Sequence, residues 1–140
     1  MKLEKTYFHR IETDDIFNQL KVTWLEVNEV ENGFQIANYH VTIEDVDLDE
    51  DMEYMEKVWQ QAKAQSEPSS THQFDNEDTV IEFLECLNAL IPVIDTSFGK
   101  AFHYFDTHPQ QPTPIDAPQD ELLFANEDIV NEVIKSVDNQ

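Results

Sequence analysis

At 140 residues, with 40% hydrophobic side chains, nine Phe, four Tyr and two Trp, the chain holds enough apolar material for one folded domain and too much for a disordered acidic tail. Thirty Asp and Glu against eight Lys and Arg give a formal charge of −22. That balance excludes nucleic-acid phosphates and anionic membrane surfaces as direct ligands, because affinity for either comes from clustered Lys and Arg.

No stretch reaches the roughly 18 consecutive apolar residues of a membrane span. The opening MKLEKTYFHRIE has no apolar run of signal-peptide type, and the single Cys86 excludes an internal disulfide framework. Together these predict a cytoplasmic protein in a reducing compartment.

In chain order, Leu3–Ile11 reads as a short strand with Leu3, Lys5, Tyr7, His9 and Ile11 on one side. Thr13-Asp14-Asp15 has the chemistry of a helix cap, and predicts a short helix over Asp14–Leu20. Lys21–Val30 and Phe34–Ile43 are rich in β-branched and aromatic residues. They flank Glu31-Asn32-Gly33, whose Asn-Gly pair tolerates the positive φ of a hairpin turn.

Glu44–Glu56 (EDVDLDEDMEYME) holds eight acids and no base: Glu44, Asp45, Asp47, Asp49, Glu50, Asp51, Glu53 and Glu56. Part of the run suits a helix N-terminus, where unpaired amides and the helix dipole favour carboxylates. Met52, Met55, Trp59 and Ala62 then recur at helical spacing, predicting a helix over Asp49–Gln65. Asp45, Asp47, Asp49, Glu53 and Glu56 also fall at positions 1, 3, 5, 9 and 12 of a calcium-binding EF-hand loop. Glu50 stands where that loop needs glycine, however, and a strand precedes the run where the motif needs a helix.

Ser66–Gln73 is a polar connection. Asn76 then caps the most strongly patterned helix, with Glu77 and Asp78 in its first turn. Val80, Ile81, Phe83, Leu84, Leu87, Leu90 and Ile91 form its apolar face, and Pro92 stops it. Cys86, among leucines and with no histidine near it in sequence, reads as a packed thiol rather than a nucleophile.

Ser97–Asp106 fits a helix through Phe98, Ala101, Phe102 and Phe105, although AFHYF also suits a strand. His103, Asp106 and His108 are metal-capable, but one local cluster does not make ligands converge. Pro109, Pro112, Pro114 and Pro118 make 107–119 an extended surface segment. Asn126-Glu127-Asp128 opens a last amphipathic helix through Ile129, Val130, Val133, Ile134 and Val137, repeating the capping pattern of Asn76-Glu77-Asp78.

The expected fold is α+β in a single acidic domain over 1–140. Residues 1–43 are mainly β with a short helix and 44–140 mainly helical. An N-terminal antiparallel hairpin, three-stranded if Leu3–Ile11 joins it, packs on about four helices. Two glycines exclude a phosphate-cradling loop, and no hydrolase, redox or metalloprotease motif occurs.

In charge and size alone, the chain resembles small acidic inhibitors that cover the nucleic-acid-binding surface of a basic protein: DNA-mimic anti-defence proteins, and immunity proteins that neutralise nuclease toxins. The expectation is a non-catalytic binder of a basic protein, needing no cofactor. Its candidate contacts are the eight acids of Glu44–Glu56 with Glu77, Asp78, Glu127 and Asp128. The alternatives are a divalent-metal module using Asp45–Glu56 or His103–His108, and an acidic accessory or salt-adapted domain.

Overall fold

A computed structural model describes residues 2–108 together with Val133, Ile134 and Val137. Its elements run β1 (Thr6–Asp14), β2 (Gln19–Val30), β3 (Gly33–Ile43), α1 (Met52–Gln65), β4 (Ser70–Phe74), α2 (Glu77–Leu90) and α3 (Phe98–Thr107). The four strands form one antiparallel sheet in the order β1-β2-β3-β4. The fold is therefore α+β, with a four-stranded sheet and three helices among the described residues.

The β2–β3 hairpin forms as its sequence predicts. Val30 pairs with Gly33 across a two-residue turn, and Asn32 takes φ 72°. Gly33 has φ 149°, and a Cβ there would stand 2.2 Å from the Phe74 carbonyl oxygen. Glycine thus serves both the turn and the close approach of β4.

Alternation along β2 sends Leu20, Val22 and Trp24 to one side and Leu25 and Val27 to the other, all buried. Helices cover both sides. Val80, Phe83, Leu84 and Leu87 of α2 pack on Leu25, Val27, Ile36 and Phe74. Met55 and Trp59 of α1, with Phe98, Ala101 and Phe105 of α3, pack on Phe8, Leu20, Val22 and Trp24. Each fully buried large side chain contributes roughly 1.5–3 kcal/mol through area removed from water. The chain passes between the two layers around the outer edge of β1, where the backbones of Phe8 and Ile94 exchange hydrogen bonds of 3.0 and 2.8 Å.

Four expectations are corrected. First, β1 breaks register between Phe8 and Arg10, and Tyr7, Phe8 and His9 are all buried in succession. The bulge shifts the alternation by one residue. Tyr7 therefore packs on the α2 side and Ile11 on the α1/α3 side, not together.

Second, Asp14–Leu20 is not a helix: Asp15–Asn18 is a turn joining the end of β1 to the start of β2. The Asp14 carboxylate accepts the amides of Ile16 and Phe17 at 3.0 and 3.2 Å, as a cap would. Asn18 at φ 51° then reverses the chain, so Asp14 pairs with Gln19. The side-chain chemistry of a cap and of an Asx turn is the same, which is why the sequence reads both ways.

Third, Ser70–Phe74 leaves the polar connection to become the short edge strand β4. Fourth, α1 begins at Met52, because Asp51 rather than a residue near Asp49 is its cap, accepting from the Tyr54 amide at 3.0 Å.

For α2 the Asn76 cap holds, with its side chain accepting from the Thr79 amide at 2.9 Å. Over Ser97–Asp106 the helical alternative is correct. At the C-terminus Val133, Ile134 and Val137 are helical, and Val133 and Val137 are buried against the α2 layer. The remainder of that helix and the proline-rich residues 109–119 lie outside the described residues. Among the described residues no helix is long and apolar enough to cross a membrane.

Candidate functional site

The acidic run begins where β3 ends. Glu44, Asp45, Asp47, Asp49, Glu50, Asp51 and Glu53 are exposed and Glu56 is half-buried. What shapes the run is its apolar residues. Val46 is buried, and its amide donates to the carbonyl of Asn18 at 2.9 Å, pinning the run to the β1–β2 turn. Asp45 takes φ 57°, a conformation that Asp tolerates better than most residues. The amide of Asp47 donates to the Tyr54 hydroxyl at 3.1 Å, folding the run back onto α1.

Some of these carboxylates have local work. Asp51 caps α1. The Asp47 carboxylate accepts the Asp49 amide at 3.2 Å, and Glu44 accepts from the Gln19 side chain at 3.5 Å. Glu53 lies 3.6 Å from Lys57, but both side chains are largely in water, where such a pair contributes little. The carboxylates of Asp45, Asp49, Glu50 and Glu56 have no hydrogen-bond or ion-pair partner among the described residues. The run therefore presents concentrated charge that the rest of the fold leaves almost unneutralised.

The predicted contacts are not gathered on one face. Glu77 and Asp78 open α2, which follows β4 at the Gly33 end of the sheet and lies on the opposite side from α1. Glu44 lies at the other end of β3, whose eleven residues span roughly 35 Å at about 3.3 Å per residue. The two groups of acids share no surface. Glu127 and Asp128 lie outside the described residues.

The metal alternatives fare as follows. A strand leads into Asp45–Glu56, and among the described residues no group of three or more His, Cys, Asp or Glu side chains is disposed to hold a metal ion. His108 stacks on Tyr104, ring centroids 4.3 Å apart, instead of folding toward His103. His108 and His103 both line a shallow depression with Ile94, Asp95, Lys100 and Tyr104.

Two features were not legible as site material. On the α2 side, the part of the sheet bearing Arg10, Thr23, Asn38 and His40 is polar. Thr23 and His40 side chains meet at 3.1 Å, Asn38 donates to Ser70 at 2.8 Å, and Arg10 pairs with Glu12 at 2.8 Å. His9 is buried beside them. Burial first, then the charges of Arg10 and His40, lower its pKa from 6.5 to about 4.

On the other side, Glu26 is buried and meets Lys63 at 3.3 Å, while the Lys63 ammonium sits 4.8 Å from the Trp59 ring centre. Burial first, then the charge and hydrogen bond of Glu26, raise the pKa of the Tyr39 phenol. Here, among the described residues, a buried acid faces a cation, although its Oε1 has no hydrogen-bond partner.

The second feature is the tip of the β1–β2 turn. Ile16 and Phe17 are 84% and 66% exposed there, beside the pinned acidic run. Turn chemistry favours Gly, Asn, Asp and Ser at such positions, so the apolar pair was the signal, hidden by the helical reading of Asp14–Leu20.

Compared with protein-family models, curated proteins and solved structures, the chain matches none.

Proposed function

We propose that the protein is a non-catalytic acidic binder that blocks a basic protein partner, of the nucleic-acid-binding or nuclease kind, through the face built by Glu44–Glu56. The observation that carries this reading is the set of exposed carboxylates at Asp45, Asp47, Asp49, Glu50 and Asp51, held on a loop pinned at Val46 and Tyr54, where among the described residues the run meets a cation only in the weak Glu53–Lys57 pair. Charges fixed in place attract and orient a complementary surface without paying to order a flexible chain first.

Glu77 and Asp78 stand in the first turn of α2 at the far end of the sheet and belong outside this face. Their role is helix stabilisation, as the first-turn acids of α2.

The test is capture from lysate on the immobilised protein and on a variant with Asp45, Asp47, Asp49 and Glu50 changed to Asn or Gln. The expected result is a basic protein retained at low salt, released as salt screens the charges, displaced by added DNA, and lost on the variant. Equal retention by both forms, or capture of proteins with no basic surface, sinks the reading.

A further inference from the structure

Resting on that reading, we propose that Ile16 and Phe17 are the apolar anchor of the same interface. They seat in an apolar pocket bordered by lysines and arginines on the partner protein.

The first ground is what the turn does not require. Its one left-handed residue is Asn18, and its hydrogen bonds to Asp14 come from backbone amides. Any two residues other than proline would satisfy that geometry, and polar ones would do so without leaving a phenyl ring and a butyl group in water. With Leu90, these are the large hydrophobic side chains most open to solvent among the described residues, and they are adjacent.

The second ground is rigidity. The Asp14 carboxylate holds the amides of Ile16 and Phe17, and the Asn18 carbonyl accepts from Val46 at 2.9 Å. An anchor whose backbone is already fixed loses little entropy on docking.

The third ground is charge, which selects the occupant. Around the tip, where Glu12 is already paired with Arg10, the strand ends hold Lys21 against Asp14, Asp15, Glu44 and Asp45. A second copy of the chain, an anionic membrane or a nucleic acid would bring like charge to this rim. A basic protein surface brings the opposite sign, and its pocket removes the exposed apolar area from water. An apolar centre with a charged rim is the ordinary anatomy of a protein interface, in which a few central anchors carry most of the affinity.

The test uses two synthetic peptides of equal lysine content, one carrying leucine and phenylalanine and the other serine in their place. They are titrated into the isotopically labelled protein at low salt and followed by amide shifts. The apolar peptide is expected to bind about tenfold more tightly than the serine peptide and to move the amides of residues 14–18 and 44–47. Phe17→Ser and Ile16→Ser should abolish that preference while leaving the melting temperature unchanged. Leu90→Ser, which removes an exposed apolar side chain from α2, should leave the preference intact.

Equal affinity for the two peptides overturns the anchor and leaves the charge reading standing. An equal loss in the Leu90→Ser control overturns it as well, by making the effect one of general stickiness. Failure of both peptides to bind removes the anchor and the charge reading together.

Discussion

His9 is where burial and charge conflict most directly. The bulge in β1 turns it inward beside Arg10 and near His40, and it stays neutral until its pKa of about 4 is reached. In the unfolded chain the imidazole takes up its proton near 6.5. As pH falls below 6.5, the unfolded state therefore binds the proton first. The stability associated with a neutral His9 is complete above pH 6.5 and is lost progressively down to about 4. The full loss is on the order of 3 kcal/mol, of which about 2 falls between pH 7 and pH 5. Urea denaturation at those two pH values should show this loss in the wild-type protein and not in His9→Gln. Parallel pH slopes for the two proteins would show that His9 does not titrate as described.

At the level of elements, the acids divide into those that build and those that only repel. Asp51 does both, since it caps α1 through an oxygen that Asn also possesses and adds a charge that the cap does not need. Asp51→Asn should match or exceed the wild-type stability, while Asp51→Ala should lose about 1 kcal/mol. Thermal melts of the two variants check this, and equal destabilisation by both would show that the charge itself holds the helix.

The same division explains what could be read in advance. The β2–β3 hairpin and α2 were legible because turn chemistry, capping and periodicity agree within each segment. Strand β4 was not, because five mostly polar residues become a strand only by pairing with β3, a partner distant in sequence. The bulge at His9 and the turn at Asp15–Asn18 were missed because each depends on which neighbour takes the backbone hydrogen bonds. For the candidate site, the sequence disclosed how much charge the run carries. It did not disclose that Val46 ties the run to the turn carrying Ile16 and Phe17, since that tie is one backbone hydrogen bond between residues far apart in the chain.

At the scale of the molecule, three ion pairs are found among the described residues of a chain with a formal charge of −22. Most of the charge is therefore repulsive, and the folded state holds it closer together than the unfolded chain does. Raising ionic strength from about 0.01 to 0.15 M shortens the screening length from roughly 30 to 8 Å, so the melting temperature should rise over that range and then level off. Calorimetry at several salt concentrations measures it, and a melting temperature indifferent to salt would mean that the acids are too far apart to feel one another.

The two cores differ in one further respect. Trp24 and Trp59 meet edge to face at 5.7 Å on the α1/α3 side, with Tyr39 stacked on one and Phe98 on the other. The layer under α2 has Phe74 and Phe83 and no tryptophan. Indole emission and the near-ultraviolet circular dichroism of stacked indoles thus report on one layer of this protein and are blind to the other. A helix that peeled from the α2 side would leave the fluorescence unchanged while amide ellipticity fell.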